Sequence, residues 1–306
     1  MAGLSIGDLK PVPGFRLDML SGKAGSCETE EEARAEDRVR AQLLGSSAAM
    51  ATVPENRENA LMLAGLLGYD GEPPETPASK LYMRRMRERL VGHLIELCQN
   101  TNLALATVHL EPLRQELPGS RLSCLDCRAE SQALRAALGS TGELSGVGGA
   151  ILFQDLEHET RTDVWRGGRH GLVIGDKVAA FDALRDTRNY RPRQQEGSRR
   201  RTPRVRIIRR INDLDYHLTY LFKGSFYGRW EGFIGDKRVR SGKRRIPGHR
   251  HSQALLWLHN QSVEDLCQLI GIRVGKEGFF FTNERPRRQI DASKGPGDRS
   301  KRCKSG

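Results

Sequence analysis

The tetrapeptide YLFK sets Tyr220 and Lys223 three residues apart. On a helix that spacing puts both side chains on one face. A tyrosine attacks phosphorus as a phenolate, and its free pKa is about 10, so a neighbouring cation such as Lys223 would have to favour that charge. The same spacing also suits an ordinary amphipathic helix, with the tyrosine packed and the lysine snorkelling. Upstream, WRGGRHGLVIGD places His170 at the mouth of an apolar run. A histidine there is either a packed residue at a strand start or one ligand of a metal site. The preceding run, GGAILFQDLEHE, offers Asp155 and Glu157 on one strand face, because side chains repeat every two residues, and His158 comes next in the chain. Mg²⁺ and Mn²⁺ favour oxygen donors, so one histidine with carboxylates can make a site. Glu157 is the preferred second ligand and Asp155 the next.

Other candidates carry less. CLDC holds Cys124 and Cys127, but a structural zinc needs two more ligands, and Cys98 and His109 are the only upstream residues nearby. The Gly-rich GSTGELSGVGG lacks the Gly-Lys-Ser/Thr of a phosphate loop. HRH at 249–251 lies in a Pro/Gly-flanked stretch and reads as part of a basic face.

That face is where the charge is. The 306-residue chain has a net charge of +12, and residues 188–250 alone hold 19 Lys and Arg against 5 Asp and Glu. The rest is therefore slightly acidic, and the excess marks a local polyanion-binding surface. Residues 191–202 lack apolar anchors and read as a loop. KGSFYGRWEGFIGDKRVRSGKRR, in contrast, interleaves Phe226, Tyr227, Trp230 and Phe233 with cations. Aromatics stack on unpaired bases while cations track the backbone, although the same aromatics would also serve a small core. No apolar run is long enough to span a membrane, no secretory signal is evident, and six unevenly spaced cysteines make no disulfide framework. The expectation is a cytoplasmic protein.

These residues need elements to hold them. SKLYMRRMRERLVGHLIELCQN reads as an amphipathic helix, LALATVHLEP as a strand stopped by Pro112, and CRAESQALRAALG as a short helix. GGAILFQDLEHE and RHGLVIGD form a hairpin, and Asp176 caps the helix KVAAFDALRD. RVRIIRRI is a strand and LDYHLTYLFKG a helix. The order is β-α-β-β-α-β-α, which an antiparallel sheet with its helices on one face would satisfy, an α+β sandwich. Residues 1–76 read as a variable, partly disordered region with a mixed-charge helix. Residues 77–245 form the α+β domain, with a basic loop at 188–204. A small, mostly helical extension spans 246–283: HSQALLWLHN and SVEDLCQLIGI form a helical pair, and a hairpin crosses GKEG. Residues 284–306 read as a disordered basic tail.

With these motifs in this order, the chain resembles the HUH endonucleases of rolling-circle replication initiators, as a divergent or degenerate bacterial relative of the kind found in genomes, plasmids and phage. ATVHL echoes the family's first strand motif, WRGGRHGLVIGD its His-hydrophobic-His strand, and YLFK its Tyr-x-x-Lys helix. The likeness covers about residues 80–225, and RIPGHRHSQALLWL is similar to the segment after the tyrosine helix in bacterial relatives. The resemblance implies Tyr220 as the nucleophile that joins a 5′-phosphate, Lys223 at the scissile phosphate, and His170 as the second histidine of the metal motif. Gly168 stands where the first histidine belongs and cannot ligate by its side chain.

The expected partner is DNA, single-stranded or hairpin, nicked with the help of Mg²⁺ or Mn²⁺ and held by Arg204, Arg206, Arg229, Trp230, Lys243, Arg244 and Arg245. The alternative is a non-catalytic nucleic-acid-binding protein that keeps the fold without the metal site. Gly168 favours that alternative.

Overall fold

The runs GGAILFQDLEHE and VWRGGRHGLVIG, split by the turn TRTD, set the centre of the fold. They form a long antiparallel hairpin of β3 (Gly148–Glu159) and β4 (Val164–Gly175). Asp163 closes its turn with a φ of 52°, a left-handed conformation that Asp enters more easily than bulkier residues. The structure is a computed structural model. It describes residues 4–20, 27–49, 54–111, 116–191, 193–194, 201–202, 205–209, 211, 213–221, 226–234, 237–242 and 244–282.

Around the hairpin stand β1 (Leu105–Leu110), β2 (Glu116–Pro118), β7 (Val205–Ile208), β8 (Tyr227–Arg229) and β11 (Cys267–Ile270). They make a seven-stranded sheet in the order β11–β3–β4–β1–β7, with β2 on β4 and β8 on β3. Every pairing is antiparallel except the short β3–β8 contact. Three two-stranded ribbons lie outside it: β5 (Arg193–Gln194) with β6 (Arg201–Thr202), β9 (Glu231–Ile234) with β10 (Lys237–Arg240), and β12 (Ile272–Gly275) with β13 (Gly278–Phe281). The last ribbon turns across Lys276 and Glu277, within the GKEG of the sequence.

The helices are α1 (Glu30–Ala49), α2 (Pro54–Gly68), α3 (Lys80–Gln99), α4 (Cys127–Ser140), α5 (Lys177–Ala183), α6 (Leu214–Leu221), α7 (Gly248–His259) and α8 (Val263–Leu266). They cover both faces of the sheet, not one. On the first face, Ile151, Phe153, Leu172 and Ile174 join Met86, Leu90 and Leu94 of α3 and Leu218 of α6 in one buried cluster. On the second, Ala150, Leu152, Val108 and Val173 pack with Leu134 and Leu138 of α4 and with Phe181 and Leu184 near α5. The physical reason lies in β3, whose residues 150–153 are apolar without alternation, so neither face can be left to water.

Three further expectations change. SVEDLCQLIGI is helical only over Val263–Leu266, where Ser262 and Asp265 form a capping box. CQLI then turns into β11 and completes the open edge of β3, because sheet pairing satisfies its backbone groups and buries Cys267 and Ile270. The segment after 246 thus builds part of the main sheet. Helices α1 and α2, within the region read as variable, likewise belong to the core. Leu44, Leu63 and Leu67 of α1 and α2 are buried in the first cluster, and Asp37 of α1 receives hydrogen bonds from the Lys80 N–H at 2.6 Å and the Ser79 hydroxyl at 2.8 Å, fixing the start of α3. Asp176 precedes α5 but makes no side-chain cap there. Its carboxylate accepts from the Val147 N–H at 2.9 Å instead.

Among the described residues, no helix is long and apolar enough to cross a membrane.

Candidate functional site

The ladder registers decide which polar side chains meet. His109 of β1 is paired with His170 of β4, His170 with Phe153 of β3, and His109 with Arg206 of β7. Directly paired residues project from the same face, so Arg206, His109, His170 and Phe153 form one rung. One step toward the hairpin tip lie Gly168 and Asp155, and one step further Arg166, Glu157 and Tyr227. The apolar first face thus becomes polar as it approaches the tip.

α6 lies over that change. LDYHLTYL is short, with Leu218 anchored in the core, and it brings the Tyr220 ring to 5.7 Å from the His170 ring at an angle of 49°. Tyr216, one turn earlier, stacks on Tyr220 at 6.3 Å and 26° and is itself exposed. The late helix and the early hairpin therefore meet over one sheet.

Around this pair stand carboxylates and cations. Asp155 Oδ2 lies 3.6 Å from His170 Nδ1, and Glu111 Oε1 lies 3.5 Å from His109 Nδ1. Arg206 approaches Glu111 at 3.9 Å. Burial lowers the basicity of His109, with Glu111 and Asp155 pulling the other way, so the neutral imidazole that can ligate or accept a proton is favoured. Burial pushes the Tyr227 phenol far up, and the carboxylates Asp155 and Glu157 add to the effect. Tyr227 is thus a poor nucleophile, whereas Tyr220 stands at the histidine.

The positions expected from the sequence separate into three groups. His170, Asp155 and Tyr220 come together. Glu157 stands on the same face but faces Arg229 Nε at 3.7 Å, so Asp155 and not Glu157 is the carboxylate beside His170. The cause is register: Asp155 is opposite Gly168, one pleat from His170, while Glu157 is a pleat further out. Lys223, Arg204 and Lys243 lie outside the described residues.

Of the basic face, Arg206 is exposed at the edge of the rung, and the Arg229 guanidinium lies 5.2 Å from the Tyr227 ring centre. Trp230 and Arg244 are exposed. Arg245 is spoken for, because both its terminal nitrogens bond the Glu36 carboxylate of α1, at 3.1 and 2.6 Å. Phe226 packs on Trp257 at 5.9 Å, a core contact and not a base platform. His158 points to the other face. It stacks on Trp165 at 4.6 Å and bonds Asp163 at 2.9 Å, and Asp163 is also gripped by Arg250. Cys127 is buried and Cys124 exposed, both as free thiols, and Cys98 packs in the core.

Two residues stand at the site beyond those expected there. His109 lies in the ATVHL strand, but only the β1–β4 register puts it beside His170. The signal for Tyr216 is its spacing of four from Tyr220.

The divalent ion that the family resemblance implies can be tested against these donors. Among the described residues, no group of three or more His, Cys, Asp or Glu side chains is arranged to hold a metal. Two imidazoles flanked by two carboxylates are present, and that donor set fits an ion that takes most of its ligands from water and phosphate. Compared with protein-family models, with curated proteins and with solved structures, the chain matches none.

Proposed function

We propose that this protein is a replication-initiator-like DNA-binding protein that nicks single-stranded DNA by transesterification to Tyr220, akin to the HUH endonucleases. The observation that carries the reading is the approach of the Tyr220 ring to His170 on a polar sheet end. Tyr220 Oη attacks the scissile phosphorus, the new bond is a 5′-phosphotyrosine ester, and the P–O3′ bond breaks. The phenol gives up its proton and the leaving 3′-oxygen gains one, so no nucleotide is consumed. A divalent ion held near His170, when bound, would polarise a non-bridging phosphate oxygen. Arg206 and Arg229 border the same face and can draw in the backbone, while exposed Tyr216 and Trp230 offer flat surfaces for unpaired bases.

The test uses labelled single-stranded oligonucleotides with Mn²⁺ and denaturing electrophoresis. A covalent protein–DNA band is expected from the wild type and none from Tyr220→Phe. A band unchanged in Tyr220→Phe would rule out this nucleophile.

The second reading, a binder without catalysis, is favoured by Gly168 and by the lack of a three-ligand group among the described residues. It predicts salt-sensitive binding and no adduct with any metal.

A further inference from the structure

Gly168 leaves open which side chain does the work of the histidine the motif lacks. We propose that His109 of β1 fills that role, so that His109 and His170 together hold one divalent cation through their Nε2 atoms. The proposal rests on the nicking reading for the purpose of the ion, though not for its binding.

Three observations carry it. The two histidines are direct partners across the β1–β4 ladder, and such pairs keep their Cβ atoms about 5 Å apart on one face. A Cβ added at Gly168 would stand 3.9 Å from His109 Nε2, so the ring reaches to where a side chain at 168 would begin. The same Cβ would stand only 2.8 Å from the Leu110 carbonyl oxygen. β1 thus runs too close to allow a side chain at 168, and the glycine is what lets it approach and deliver His109.

Carboxylates flank both rings. Glu111 lies 3.5 Å from His109 Nδ1 and Asp155 lies 3.6 Å from His170 Nδ1, and the His170 contact is longer than a hydrogen bond. Were these contacts to close when an ion binds, each carboxylate would hold the proton on Nδ1 and leave the Nε2 lone pair for the metal, as behind other metal-binding histidines. Water and DNA phosphate oxygens complete the shell.

The experiment is a Mn²⁺ titration of the full chain without DNA, read by electron paramagnetic resonance, with the bound imidazole nitrogens counted by electron spin-echo modulation. Two imidazoles are expected in the wild type and one in either His109→Ala or His170→Ala, with Mn²⁺ affinity lowered about tenfold or more. Glu111→Gln should keep both nitrogens and weaken binding about tenfold. Circular dichroism melts confirm that each variant is folded, and His109→Gln serves as the second variant if the alanine form is not. An affinity within twofold of wild type and an unchanged nitrogen count in His109→Ala would overturn the proposal, as would a wild type that binds no Mn²⁺. Two-histidine binding without a DNA adduct would sink the nicking reading and leave this one standing. An adduct that forms with only His170 on the ion would do the reverse.

Discussion

The rings of His170 and Tyr220 lie 5.7 Å apart, although one belongs to a central strand and the other to a helix laid across the sheet. Leu218 makes this contact durable, because it is fully buried in the cluster that holds α6 to α3 and β4. The reactive pair thus stands on regular elements whose positions are fixed by packing.

Gly168 is predicted to be intolerant of any side chain. Gly168→Ala places its Cβ 2.8 Å from the backbone oxygen of Leu110, and the strands must part to admit it. We expect a loss of about 1–3 kcal/mol in denaturant unfolding, and a larger one for Gly168→His, which therefore does not restore a metal motif. An unchanged unfolding midpoint would show that β1 is not held so close.

Glu28 should confer pH-dependent stability. Burial pushes its carboxyl up, but Lys80 Nζ at 3.0 Å and Arg87 Nη2 at 2.8 Å outweigh that and hold it at about 2. Burial drives Lys80 the other way, to about 8, so the stabilising part of the cluster is Glu28 with the fully buried Arg87. A depressed carboxyl contributes fully above its unfolded value of about 4.3 and fades as pH falls toward 2. Glu28→Gln should cost about 3 kcal/mol at pH 7 by leaving Arg87 without its counter-charge, and the gap should narrow steadily below pH 4. A gap independent of pH would contradict this.

Arg206 and Arg245 look alike in the charge run but should behave differently. Arg206→Ala should weaken binding to single-stranded DNA and lower the slope of log affinity against log salt by about 0.7, the value of one phosphate contact. Arg245 already bonds Glu36, so Arg245→Ala should leave the slope unchanged and cost at most about 1 kcal/mol of stability. Equal effects on the slope would mean that Arg245 leaves Glu36 to bind DNA.

These contrasts show what the sequence can and cannot convey. The hairpin and the helix of Tyr220 are legible because they carry strong local patterns. The two-sided burial is written only in the apolar run Ala150–Phe153, where alternation is missing, and four residues are a faint signal against a hairpin pattern that suits a one-sided sheet. The end of α8 is not legible, since CQLI becomes a strand only when the edge of β3 is there to pair with it. The role of His109 depends on register between distant strands, which no spacing within either strand reveals. Arg245 reads as a phosphate contact until α1, far away in the chain, supplies Glu36.

The most direct test of the account is to digest the covalent protein–DNA product and locate the nucleotide by mass spectrometry. The account predicts a phosphodiester-derived 5′-phosphate on Tyr220, with a free 3′-hydroxyl on the released strand. Nucleotide on any other residue, or cleavage with no protein-linked phosphate, would contradict it.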